Sequence, residues 1–137
     1  MTLSTLENKL SPYIRKRSLA LLGISAFVAL FGQIYEIFSH GVWSSYMTGA
    51  FLYPLVACLL WTLLGCFADY AAQSRSLRFC ADTALATLTV GSILKGVFVI
   101  YGTEVTAVEG YFYIGWALTA AVGFIFIYKI LKRKLAK

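Results

Sequence analysis

Charged residues are scarce in this chain. They make up 13% of its 137 residues, while hydrophobic residues make up 60%. An ordinary soluble domain carries about twice that share of charge. A chain with so little polar surface would have to expose much apolar area to water, at a large cost in free energy. The composition therefore excludes an ordinary soluble domain and indicates a membrane protein.

Residues that usually carry chemistry are also few. The single histidine, His40, cannot by itself supply a bis-histidine haem site or a tetrahedral metal site. The three cysteines, Cys58, Cys66 and Cys80, form no CxxC pair, which argues against a disulfide framework and a thiol redox motif. The chain also has no glycine-rich phosphate loop, HExxH or GxSxG motif. We therefore predict a protein that is not an enzyme, with no cofactor and no metal.

Long apolar runs are what the sequence does contain. Four of them reach the length of about 20 residues that a helix needs to cross a hydrocarbon core of about 30 Å, and they cover residues 18–38, 48–70, 81–101 and 111–131. The first run is too long for the apolar part of a signal peptide, so we expect it to be retained. The sequence predicts an all-α integral membrane protein, a four-transmembrane-helix antiparallel bundle in a single membrane domain over residues 1–137.

The net charge of +6 is distributed unevenly along the chain. Basic residues precede the first run, lie between the second and third runs and close the chain: Lys9, Arg15, Lys16, Arg17, Arg75, Arg78, Lys129, Lys132, Arg133, Lys134 and Lys137. The other two connections contain no lysine or arginine. The positive-inside rule then predicts an N-in/C-in topology, in a bacterial cytoplasmic membrane. The basic excess thus predicts contact with anionic lipid at the cytoplasmic face and does not indicate nucleic acid.

Two signals mark the N-terminal region. Ser4-Thr5-Leu6-Glu7 has the spacing of a capping box, and apolar residues follow at helical spacing. We expect a short N-terminal amphipathic helix over residues 4–10, on the cytoplasmic surface; a frayed terminus is the alternative. Ser11-Pro12 then predicts a second helix start, with serine as the cap and proline in the first turn.

Two charges inside apolar runs define the candidate site. By the helical rise, Glu36 lies about 27 Å and Lys95 about 20 Å from the cytoplasmic boundary. An unpaired ammonium in the membrane costs at least about 2.5–3.5 kcal/mol, so we expect Lys95 to pair with Glu36. The sequence predicts an outward-facing polar pocket that binds a small charged solute or ion, made by Gln33, Tyr35, Glu36, His40, Lys95 and Tyr101, with Glu104 nearby. The alternative is a buried ion pair that only fixes helix register.

Small residues recur in the last run. Gly115, Thr119 and Gly123 are spaced four apart, which lets another helix approach closely. This ridge predicts helix packing within the chain, with a homodimer seam as the alternative.

The lead functional hypothesis is a polytopic membrane protein that binds or passes a small charged solute or ion, acting as a homo-oligomer because four spans rarely enclose a pathway alone. A second hypothesis is a non-catalytic subunit, accessory or immunity-type factor of a larger membrane complex. A third is a membrane redox or lipid-modifying enzyme.

Overall fold

The computed structural model describes residues 11–135, with the backbone alone at residues 68–72. This part of the chain is all-helical and contains no strand. In chain order its elements are α1 (Pro12–Phe38), α2 (Ser45–Gly49), α3 (Leu52–Ala72), α4 (Arg75–Ile100), a 3-10 turn (Thr106–Val108) and α5 (Glu109–Leu135). Four of the helical segments are long and apolar enough to cross a membrane, which confirms this part of the fold prediction. The amphipathic helix expected over residues 4–10 lies outside the described residues.

Helix α1 begins where the sequence places a helix start. Pro12 occupies its first turn, and the Ser11 side chain accepts a hydrogen bond from the Ile14 amide at 3.4 Å. Helix α4 begins at Arg75, six residues before the predicted boundary at 81. The predicted span from residue 81 covers the apolar part of this helix, because apolarity marks only the part of a helix that would lie in lipid. A helix continues beyond it wherever polar residues can be solvated.

The second predicted span is divided. A break at Ala50 and Phe51 separates the short helix α2 from α3. Pro54 falls in the first turn of α3, where a missing amide hydrogen removes no helical bond. The break therefore lies directly before α3 begins.

Neighbouring long helices run in opposite directions. Helices α1 and α3 are joined by hydrogen bonds from Ser18 to Thr62 (2.9 Å between hydroxyl oxygens) and from Ser25 to the Phe51 carbonyl (3.0 Å). Helix α5 packs on α4, where Gly115 lies against Leu88. The α1–α3 and α4–α5 contacts are the most extensive in the bundle, and α3 joins the two pairs by packing on α4. The chain is therefore two antiparallel hairpins packed side by side.

The two ends of the bundle differ in character. The end formed by the starts of α1 and α4 and the last turns of α3 and α5, here the basic end, holds a fully buried cluster of Ile14, Leu21, Trp61 and Leu77. The other end, here the aromatic end, is formed by the last turns of α1 and α4, by α2, by the 3-10 turn and by the start of α5.

Most of the apolar surface faces outward. Of the most apolar window in each spanning segment, no more than 33% is buried inside the chain, and for the segment that contains α5 the share is 6%. Large side chains such as Phe27, Phe67 and Phe124 are exposed. Surfaces of this kind are stable against lipid or against another protein.

Candidate functional site

The short helix α2 lies between α1 and α4 at the aromatic end. Its Met47 is only 1% exposed. A Cβ added to Gly32 of α1 would come within 3.2 Å of the Met47 carbonyl oxygen, and one added to Gly96 of α4 within 2.8 Å of the Met47 amide nitrogen. The Ser92 hydroxyl donates to the Tyr46 carbonyl at 2.8 Å. The absence of side chains at Gly32 and Gly96 thus leaves room for α2 between α1 and α4, and the hydrogen bond from Ser92 joins α2 to α4.

Lys95 is held by a carboxylate and two aromatic rings. Its Nζ lies 3.6 Å from Glu109 Oε1, at the first residue of α5. The same ammonium lies 4.7 Å from the Tyr46 ring centroid and 5.5 Å from that of Phe112. The lysine side chain is 28% exposed and that of Glu109 is 51% exposed, so water reaches the carboxylate more easily than the ammonium. Ring faces attract cations most strongly when the cation has lost water, as this one has in part.

Glu36 forms a separate contact with α2. Its Oε1 lies 3.0 Å from the Thr48 hydroxyl, which also lies 2.7 Å from the Ser44 carbonyl oxygen. One hydroxyl proton cannot fully serve two acceptors. Within the described part of the chain Glu36 has no cationic partner. Its carboxylate therefore keeps unused capacity to accept hydrogen bonds or to bind a cation.

The predicted ion pair between Glu36 and Lys95 is not formed. The prediction assumed that α1 and α4 are direct neighbours at the depth of Glu36 and Lys95. In the structure α2 lies between these two helices. The main neighbour of α4 is α5, whose first residue supplies the carboxylate that Lys95 contacts. The lysine is paired as expected, with Glu109 in place of Glu36.

The other predicted pocket residues are spread over the aromatic end. The phenol groups of Tyr35 and Tyr101 are close enough to influence each other electrostatically, although Tyr101 is largely exposed. Gln33, His40 and Glu104 are exposed, and the ion pair and ring contacts that the described residues make with Lys95 involve none of them. His40 lies just after α1 with φ 56°, in the left-handed region. The grouping of these five residues with Lys95 in one pocket therefore stays a prediction.

Three partners of the lysine were not predicted from the sequence: Tyr46, Glu109 and Phe112. Tyr46 lay in a predicted connection, and neither Glu109 nor Phe112 was assigned to the site. A usable signal was nevertheless present. In an antiparallel hairpin, residues equally distant from the turn face each other, and Lys95 and Glu109 are seven residues on either side of Gly102.

The members of the predicted small-residue ridge on α5 have different environments in the structure. A Cβ on Gly115 would come within 2.5 Å of Leu88 Cδ2, so this position packs within the chain. Thr119 donates its hydroxyl to the Gly115 carbonyl at 2.8 Å, within its own helix. Gly123 is exposed, with nothing within 4 Å of an added Cβ. Only the first member of the ridge serves helix packing inside one copy.

Groups that could hold a metal ion or react as thiols are sparse in this structure. Among the described side chains, no three of the histidine, cysteine, aspartate and glutamate groups come together as a metal site. Cys58 donates to the Ser18 carbonyl at 3.2 Å, and all three cysteines are free thiols. The groups at the aromatic end that could contact a ligand are therefore its charged side chains and its aromatic rings.

Comparison with known proteins gives no relative from which a role could be transferred. The chain matches no family model, no curated protein and no solved structure.

Proposed function

We propose that this is a non-enzymatic integral membrane protein that binds a small cation of the organic-ammonium class at its aromatic end. The observation that supports the proposal is the environment of Lys95. An ammonium group there contacts one carboxylate and two aromatic rings, which is the chemistry that recognises alkylammonium ligands. In the resting protein the lysine itself occupies the site.

The charge at this end favours a cation over an anion. Glu36, Glu104 and Glu109 supply three carboxylates, against the single ammonium of Lys95. The flexible stem of lysine can swing its ammonium toward water, since part of the side chain is already exposed. A ligand would then take over the contacts with Glu109, Tyr46 and Phe112. Binding is an exchange of one ammonium for another.

The distribution of basic residues supports an outward orientation for this site. Arg15, Lys16 and Arg17 lie at the start of α1, and Lys132 and Lys134 lie in the last turns of α5. If these residues face the cytoplasm, both termini do so too, and the aromatic end faces outward from a bacterial cytoplasmic membrane. Passage of the cation across the membrane would require several copies, because four spans rarely enclose a pathway alone.

The binding test uses tetramethylammonium, titrated by calorimetry against the purified protein in nanodiscs. Lys95→Met empties the site, and Glu109 is exposed enough to be hydrated after the change. This variant should bind the probe roughly tenfold more tightly, since the internal competitor is gone. Glu109→Gln should weaken binding by a similar factor, because it removes the carboxylate.

Glu104→Gln is the matched control, since it removes an exposed carboxylate of the same end that has no partner among the described residues. It should leave the affinity close to that of the wild type. Equal losses from Glu104→Gln and Glu109→Gln, or no gain from Lys95→Met, would refute the site.

A second candidate function rests on α5. Because only 6% of its apolar window is buried within the chain, this helix has a long face available to another protein. A non-catalytic subunit of a larger membrane complex would use such a face. Mild-detergent purification separates the two ideas: stoichiometric foreign subunits favour the accessory role, whereas an isolated chain or homo-oligomer that binds tetramethylammonium favours the first proposal.

A further inference from the structure

We propose that the basic end carries a binding site for a phosphate group, independent of the cation site. A cavity of about 510 Å³ opens there, lined by Arg17, Arg75, Ser76, Arg78, Phe79, Cys80 and Asp82. Along α4, Arg75 and Lys95 are about 30 Å apart by the helical rise, so the two sites lie at opposite ends of the bundle.

The charges that line the cavity do not balance. Among the described lining residues, three guanidinium groups face one carboxylate, that of Asp82, which pairs with Arg17. Arg78 donates Nη1 to the Tyr13 hydroxyl at 2.8 Å, and that acceptor is neutral. Arg75 is exposed and has no hydrogen-bond or ion-pair partner among the described residues. Two positive charges in the lining are therefore available to an anion.

Unused hydrogen-bond donors accompany these charges. The Nε atoms of Arg17 and Arg78 are both buried without an acceptor. The first turn of α4, which forms part of the lining, contains no acidic residue, and its cap residue Ser74 makes no side-chain capping bond. Amide groups at a helix start attract anions, and here they add to the arginine charges. A phosphate accepts several donors at once, and guanidinium groups match its geometry.

The surroundings of the cavity favour a phosphate attached to an amphipathic molecule, although free phosphate offers the same chemistry. Phe79 lines the cavity and is 73% exposed, which places an apolar ring beside the arginines. The apolar part of α1 begins at Ser18, directly after Arg17, so the cavity lies at the level where a bilayer would place its headgroups. Separate titrations with an anionic lipid and with inorganic phosphate distinguish the two ligands.

The test compares three proteins in nanodiscs: the wild type, Arg75→Gln with Arg78→Gln, and Lys132→Gln with Lys134→Gln. The last pair removes the same charge from exposed positions at the end of α5 and controls for general attraction to anionic surfaces. In one arm, native mass spectrometry counts the phosphatidylglycerol retained from mixed phosphatidylcholine discs. In the other, inorganic phosphate is titrated in pure phosphatidylcholine discs while tryptophan fluorescence is recorded.

We expect the arginine variant to lose affinity by roughly tenfold, as for removal of charged hydrogen-bond donors, and the lysine variant to resemble the wild type. If the arginine variant loses affinity only for the lipid, the ligand is a lipid headgroup. Loss in both arms shows that phosphate itself is sufficient. The proposal is overturned if neither probe binds the wild type at this site, if the arginine variant binds normally, or if the lysine variant loses as much.

A single variant separates a loss of binding from a loss of folding. Arg78 donates to Tyr13, so its removal can disturb packing, whereas Arg75 is exposed and has no hydrogen-bond or ion-pair partner among the described residues. Arg75→Gln alone should keep the thermal unfolding temperature of the wild type and still weaken binding several-fold. Unchanged affinity in this single variant would remove Arg75 from the site and contradict the proposal.

Discussion

Arg17 lies over the indole ring of Trp61, with its guanidinium carbon 4.0 Å from the ring centroid, while it pairs with Asp82. One side chain on α1 thereby connects α3 and α4. The arginine side chain is 15% exposed and the aspartate 57% exposed. The contact lies directly beside the buried cluster at the basic end, which includes the same Trp61. We interpret this contact of Arg17 as the polar layer that covers the buried cluster at the basic end.

Asp82→Asn should destabilise the fold, because it leaves a mostly buried guanidinium without a carboxylate. We expect the free energy of unfolding to fall by about 1–2 kcal/mol, between the values typical of exposed and buried ion pairs. Reversible unfolding in mixed micelles with increasing dodecyl sulfate measures it. Glu104→Gln serves as the control, and equal stability of the two variants would show that the pair contributes nothing.

Gly96→Ala should displace α2 from the bundle. The new methyl group would lie 2.8 Å from both the Met47 amide nitrogen and its Cβ. Relief requires movement of backbone, and we expect a loss of about 1–3 kcal/mol, as for overpacked cores. Gly123→Ala has open space and should be neutral or stabilising by up to about 1 kcal/mol. If both variants unfolded alike, α2 would not be packed as described.

Tyr46→Leu should weaken ammonium binding when tested in the Lys95→Met background. The change removes one ring face and keeps an apolar side chain. A loss of about 0.5–2 kcal/mol, or roughly two- to thirtyfold in affinity, is expected from the range for cation–π contacts. Calorimetry with tetramethylammonium measures it, with Tyr113→Leu, which changes an exposed tyrosine on α5, as the control. A binding constant that does not change would show that the ring plays no part.

The orientation can be tested by labelling single cysteines. In a background with Cys58, Cys66 and Cys80 replaced by alanine, we expect His40→Cys to react with a membrane-impermeant maleimide in intact cells. Lys134→Cys should react only after the cells are opened. The reverse pattern would place the basic end outside and contradict the positive-inside assignment.

The general architecture could be predicted from the sequence because apolar run length depends on local composition. The start of α1 was predictable for a similar reason, since Ser11 and Pro12 act within a single turn. The partner of Lys95 was harder, because it depends on which helices are neighbours. A nine-residue connection was taken as a surface loop, and nothing in its composition shows that Met47 becomes buried between α1 and α4.

The small-residue ridge illustrates the same limit. Gly115, Thr119 and Gly123 look equivalent in sequence, yet only Gly115 meets α4. Helix α5 has one neighbour along most of its length, so its remaining small residues face outward. Spacing identifies a surface that permits close approach, and the positions of the other helices decide whether anything approaches it.

The position of α2 has a consequence for how the chain is assembled during synthesis. In sequence it belongs to the loop of the first hairpin, but it packs against α4 in the second. A growing chain that has inserted only α1 and α3 lacks the α4 surface that packs on Met47, and it lacks the Ser92 hydroxyl that donates to the Tyr46 carbonyl. We therefore expect the first hairpin to insert with α2 in contact with α1 alone, and α2 to reach its final packing only when the second hairpin inserts beside it.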